Sequence, residues 1–261
     1  MRARFAALGP AYKALIALVA PVATIITTLL ALGVIDKSGS DALAAGAGRT
    51  SEAGTAYVDL QFTGGGEGDA QRAFEAHGQY DYRARRGQLV YDFSATPGAE
   101  QLTEVPVIFA GRHAYVRVGK GGWVHVNLAT AREELTDAAA ADPSRAPQGD
   151  VGALGDLDVN DPSQVLSYLR EHSGAKQIGE ENVFGTATKI YRGTVDADGG
   201  PLVITAWVGD DELIRRLTVE RERGKAPFAL TMELSRFGEP VRARVPARSE
   251  VTELADWLSR G

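Results

Sequence analysis

Residues 228–235 alternate large apolar side chains with small or polar ones without a break. Phe228, Leu230, Met232 and Leu234 fall on one side, and Ala229, Thr231, Glu233 and Ser235 on the other. A period of two is that of a strand with one face in a core and one in water. Short runs of similar character recur along most of the chain, separated by turn signals. The candidate strands are 56–62, 74–83, 88–95, 104–110, 113–118, 122–128, 175–181, 186–195, 202–208, 213–221, 228–237 and 241–245. Gly119-Lys120-Gly121-Gly122 joins two of them, and Gly209-Asp210-Asp211-Glu212 joins another two. Links this short predict hairpins, and so an antiparallel meander.

Two helices are expected among the strands. Asp161 and Pro162 suit the N-cap and first turn of a helix that runs to about His172, with Val165, Leu166 and Leu169 on one face and Gly174 as a stop. Residues 249–260 place Val251, Leu254, Trp257 and Leu258 on a second apolar stripe. Between Ala129 and Asn160 lies a long polar stretch with Pro143 and Pro147. Two readings stand for it: a mobile segment over a site, or a solvated insertion without a role.

The N-terminal part has a different character. From Ala14 to Ile35 the chain is uncharged and mostly apolar, and it follows Arg2, Arg4 and Lys13. As a helix, roughly 22 residues would rise about 33 Å, enough for a hydrocarbon core of roughly 30 Å. The expectation is a cytoplasmic N-terminus at 1–13, a transmembrane signal-anchor at 14–35, a flexible linker at 36–54 and an extracytoplasmic domain at 55–261. The alternative is a signal peptide cleaved near Ala44, which would secrete the domain.

The chain holds 34 acidic and 28 basic residues, and residues 1–35 hold none of the acids. The expected exported part is therefore acidic, which argues against nucleic acid as a partner. There is no cysteine, so neither disulfides nor a lipidated cysteine can contribute. No catalytic or metal-binding residue is assigned, no cofactor is expected and the chain is not read as an enzyme. His77, His113, His125 and His172 show no ligand spacing, although His113 and His125 lie on adjacent expected strands and could approach each other. Residues 64–68 are Gly-rich but lack the Lys-Ser/Thr of a phosphate loop, and no G-x-S-x-G occurs. The acidic clusters at 156–161 and 210–212 lie on expected turns, where calcium binding is the minor alternative, and Arg215 and Arg216 read as solvated strand charges.

Several blocks occur together and in order. They are Asp161-Pro162 with Val165-Leu166; Gly179 to Thr186; Tyr191-Arg192-Gly193; residues 203–216 (VITAWVGDDELIRR); and Phe237-Gly238-Glu239-Pro240-Val241. In this the sequence resembles the actinobacterial LppX/LprG-like lipoproteins, of the LolA/LolB-like fold superfamily, from about residue 56 to 258. The resemblance implies an α+β, mainly β fold: a strongly curved antiparallel sheet, an open half-barrel, with helices on its concave side and an apolar cavity between. Members of known role bind lipid chains or lipid-modified proteins, and some relatives are sensors that hold a regulatory partner.

This sequence lacks the family's lipobox cysteine, and the apolar run from Ala14 to Ile35 takes its place as the expected membrane attachment. The function expected is a membrane-anchored, non-enzymatic binding protein for a lipid or acylated molecule. The alternative is an extracytoplasmic sensor or interaction domain that regulates a membrane-protein partner. The expected cavity residues are Tyr80, Tyr82, Tyr91, Phe93, Phe109, Tyr115, Leu166, Leu169, Trp207, Phe228 and Met232. Tyr hydroxyls or His125 would orient a head group.

Overall fold

The computed structural model describes residues 26–27, 37–65, 71–96, 99–100, 102–119, 122–128, 130–131, 155–156, 175–195, 201–221 and 227–260. The expected alternation is realised as one sheet. Six strands form a first meander: β2 (Thr55–Gly65), β3 (Gln71–Asp81), β4 (Arg86–Asp92), β5 (Val105–Ala110), β6 (His113–Val118) and β7 (Gly122–Asn127). Five form a second: β9 (Lys176–Val183), β10 (Thr186–Val195), β11 (Leu202–Gly209), β12 (Ile214–Arg221) and β13 (Phe228–Ser235). β13 returns to pair antiparallel with β2, with Met232 opposite Leu60, and so fuses the two meanders. A last short strand, β14 (Val251–Glu253), adds to β7 in parallel. The result is a twelve-stranded sheet in the order β14-β7-β6-β5-β4-β3-β2-β13-β12-β11-β10-β9. Its terminal strands β14 and β9 do not pair with each other, so the sheet stays open and curved.

One face carries the core. Val58, Leu60, Leu89, Val116, Leu217, Met232 and Leu234 are buried on it from five different strands. The opposite face carries Asp59, His77, Arg216 and Glu233, whose register puts them in one row across four strands. Glycine at 87 is required by this packing: a Cβ there would lie 2.5 Å from Tyr80 Cδ2, because the Tyr80 ring lies over the backbone opposite it.

Three expectations are corrected. Residues 36–54, expected to be a flexible linker, contain helix α1 (Lys37–Glu52). Its Leu43, Ala47 and Thr50 are buried at one-turn spacing, and Gly46 lies on the same stripe. A Cβ on Gly46 would meet Val208 Cγ1 at 3.2 Å, so small residues let the helix sit close to β11 and β12. The C-terminal stripe is divided. Arg248–Glu250 form a 3-10 turn, β14 follows, and only Leu254–Arg260 are helical (α2). Its Leu254 and Leu258 are buried in the core, and Trp257 packs against it. Residues 241–245 join no sheet, because Pro240 and Pro246 bracket them and each lacks a backbone donor.

The apolar N-terminal run is described only at residues 26–27. Among the described residues no helix is long and apolar enough to cross a membrane. Ile26–Thr27 (β1) are extended and pair antiparallel with Gly155–Asp156 (β8), where a continuous helix was expected. The remainder of 14–35, the helix expected from Pro162 to His172 and nearly all of 129–160 lie outside the described residues.

Candidate ligand-binding face

Strand parity decides which aromatic rings share the inner face. Phe62 of β2 stands opposite Phe74 of β3, and their rings stack at 5.1 Å between centroids. Phe228 of β13 stands opposite Gly64 and stacks on Phe62 at 6.1 Å. A side chain at 64 would come within 2.8 Å of the Phe62 ring, so glycine there makes room for the pair. Phe74 then meets Tyr91 and Phe93, each at 5.7 Å. The row runs Phe228, Phe62, Phe74, then Tyr91 and Phe93, across four neighbouring strands. Each such contact adds about 0.5–1.5 kcal/mol beyond its area burial. A second group lies toward the other end of β3, where Tyr80 and Tyr82 meet at 5.5 Å and Phe109 of β5 lies 6.3 Å from Tyr80, between centroids.

Arg221 stands at the end of this row. Leu217 and Val219 fix the inward parity of β12, and Arg221 follows with the same parity, opposite Phe228. Its guanidinium carbon lies 5.3 Å from the Phe228 ring centroid, and the residue is 1% exposed. A cation this deep in an aromatic face is the strongest chemical asymmetry among the inner-face residues.

Among the expected cavity residues, Tyr80, Tyr82, Tyr91, Phe93, Phe109, Phe228 and Met232 are on the inner face and buried in one continuous core. Leu166 and Leu169 lie outside the described residues. Tyr115 and Trp207 face the other way. Trp207 pairs with Arg216 across the β11–β12 ladder, and its Nε1 donates to Glu181 Oε2 at 2.7 Å. Arg216 covers the indole at 5.2 Å and also donates to Glu233 at 2.8 Å and Glu181 at 3.3 Å. Tyr115 stacks on His125 at 5.2 Å. His125 Nδ1 donates to Glu253 Oε2 at 2.6 Å, and its Nε2 lies 2.9 Å from His113 Nδ1. The two histidines therefore do meet, on the outer face and away from any head group held inside. Among the described residues no group of three potential ligands could hold a metal ion.

Sequence reasoning passed over Phe62, Phe74 and Arg221. The signal for all three was parity. Phe62 continues Val58 and Leu60, Phe74 leads Ala76, and Arg221 continues Leu217 and Val219.

The elements define a class: one open, one-sided sheet whose inner face is a continuous aromatic and aliphatic surface, flanked by short helices near its two edges. No family model and no curated protein matches the chain. Among solved structures it is similar to LprF from Mycobacterium bovis, with 16% identity, a TM-score of 0.49 and coverage of 82% of this chain and 100% of that one. The Mycobacterium tuberculosis lipoprotein LppX matches with 15% identity and a TM-score of 0.42 over 78% of this chain and 99% of that one. A LolA superfamily protein from Nitrosomonas europaea matches with 8% identity and a TM-score of 0.28, over 81% and 96% of the two chains. These neighbours include LppX itself and a LolA superfamily protein, the groups the sequence blocks resemble. At such identities no residue's role passes from them to this chain.

Proposed function

We propose that the domain binds a lipid or other hydrophobic ligand on the inner face of the sheet and catalyses no reaction on it. The observation that supports this is the aromatic row from Phe228 to Phe93, laid across strands that the described helices flank at either side. α1 contacts β9, β11 and β12, and α2 contacts β7 and β14. Binding to such a face is by apolar burial, about 0.8 kcal/mol for each methylene removed from water, or about fourfold in affinity. Lipid extraction and mass spectrometry of the purified protein, with displacement of a fluorescent acyl probe by fatty acids of increasing length, test it. Affinity should rise about fourfold per methylene until the face is filled. Protein that is always empty and takes up no probe refutes the reading.

A second reading is favoured by one observation. Phe184 and Ile178 are 58% and 57% exposed at the turn and on the edge strand of the β9–β10 hairpin. We propose that this hairpin can engage a membrane-protein partner. A photo-crosslinking residue at 184 should trap one specific membrane protein in cells, and failure to trap any removes this reading.

The apolar run from Ala14 to Ile35 supports attachment to the membrane, with the domain on the extracytoplasmic side. Fractionation and N-terminal sequencing test that. A mature chain beginning near Ala45, recovered in the medium, would mean release instead.

A further inference from the structure

His125 is held at both ring nitrogens. Its Nδ1 donates to Glu253 Oε2 at 2.6 Å, and its Nε2 lies 2.9 Å from His113 Nδ1. Strand parity puts all three side chains on the outer face. Glu253 of β14 stands opposite His125 of β7, and His125 stands opposite Tyr115 of β6, two residues beyond His113. The Tyr115 ring stacks on His125, which limits rotation of the imidazole.

Two neutral rings satisfy both contacts, with one proton on His125 Nδ1 and one shared between His125 Nε2 and His113 Nδ1. A further proton enters at Nε2 of His113, which is exposed. The shared proton then moves to His125 Nε2, so that both contacts survive and the positive charge faces the Glu253 carboxylate. One proton more would set two N–H groups head to head at 2.9 Å, on two cations. The geometry accepts one net charge on the rings and rejects two.

The surrounding elements bring few competing charges. β5 places Ala110 opposite His113 and Ile108 opposite Tyr115, and β7 places Asn127 opposite His113. Arg117 of β6 lies over Trp123 of β7 at 5.8 Å. Arg112 precedes His113, Glu250 turns back to Ala247 N, and Asp256 lies on α2. Among the described residues Glu253 is the acid paired with these rings. β14 has only three residues, and α2 follows it directly with Leu254 and Leu258 in the core.

We propose that Glu253, His125 and His113 form a proton-sensitive latch on residues 251–260, tightest when the two rings share one net charge and loosened when acid adds a second. Loosening frees Leu254 and Leu258 from the core beside β7, and so opens that edge of the inner face. The latch does not depend on what the face binds.

Hydrogen exchange of the full chain at about pH 8, 6.5 and 5 spans the range in which histidine titrates and stays above that of an ordinary carboxylate. Rates over 251–260 are expressed as protection factors and divided by those of β12, so that intrinsic exchange chemistry and global unfolding cancel. In the wild type this ratio should rise about two- to fivefold on the first step, the scale of a half-exposed ion pair, and fall back on the second. His113→Asn puts an amide where Nδ1 stood and takes up no proton, so it should keep the rise and lose the fall. Glu253→Gln should lose the rise and keep the fall. A packing role alone would lower protection equally at every pH. In the wild type, imidazole nitrogen shifts followed by NMR should show the two rings titrating in coupled steps, a readout that needs no variant. A ratio that stays flat across this range, a fall that persists in His113→Asn, or rings that titrate independently overturns the latch.

Discussion

Thr50→Val measures whether α1 belongs to the domain. Thr50 is fully buried, and its Oγ1 donates to Gly46 O at 2.7 Å and accepts from Ile214 N at 2.9 Å. The second bond has a structural cause. The β11–β12 ladder shifts register between Trp207 and Val208, and the Ile214 amide is bound by the helix side chain at that irregularity. Valine keeps the size and removes the oxygen. Gly46 O loses one of two possible partners at small cost, but Ile214 N–H is left buried without an acceptor, at about 1–3 kcal/mol. For a domain of this size, about 2 kcal/mol lowers Tm by roughly 4–8 °C. Thermal unfolding followed by circular dichroism gives that number, and hydrogen exchange at the Ile214 amide gives its location. Thr50→Ser retains the oxygen, so it should keep Ile214 protected while losing about one methyl group's worth of stability. If Thr50→Val melts with the wild type and Ile214 exchanges no faster, α1 is a loose tether and the docking described above is wrong.

Asp59 offers a pH test. Burial raises its pKa above 3.8; His77 lowers it, Glu233 opposite raises it, and Arg236 lowers it. A raised folded value means that the ionised form is disfavoured by folding, so stability is fully present below pH 3.8 and is lost as pH rises through the folded value. Asp59→Asn should therefore melt higher than wild type at pH 7, and the two should converge below pH 3.8 in the same thermal scans. Phe184 holds φ 50° beside Gly185 at φ 79°, and this left-handed strain costs a side chain about 1 kcal/mol or more. Phe184→Gly should raise Tm in a denaturation scan while abolishing capture of a partner by a photo-crosslinking residue placed at 178 of the same hairpin. Glu253→Gln weakens a half-exposed pair with His125 and should cost no more than about 1 kcal/mol, read as faster amide exchange confined to β14.

The meander was legible because polar and apolar side chains alternate most cleanly in β12 and β13, and because the hairpins are short. The helix α1 was not. Its buried stripe is Leu43, Gly46, Ala47 and Thr50, and three of these four are small or polar. A hydrophobic pattern search registers bulk, whereas this helix is held by close approach, which needs little bulk. Its glycines lower intrinsic helix propensity, so packing against Val208 and Ile214 has to supply what propensity does not. The C-terminal stripe failed differently. Val251 and Leu254 fit helical spacing, but Val251 is also a good strand residue, and the open edge of β7 gave it ladder bonds that water would otherwise supply.

The aromatic site residues separate along the same line. Size suggested that Trp207 and Tyr115 were interior. Parity says otherwise: Ile204 and Ala206 set the inward phase of β11, and Ala114 and Val116 that of β6, which sends Trp207 and Tyr115 outward. The large residues are outside because an indole N–H and an imidazole stack can be satisfied by Glu181 and Glu253 at the surface. Arg221 is the converse case, a charged residue that parity sends inward against its solvation preference. Where period and side-chain chemistry disagree in a one-sided sheet, the period sets the position, because a one-residue slip would turn every other side chain of the strand to the wrong face.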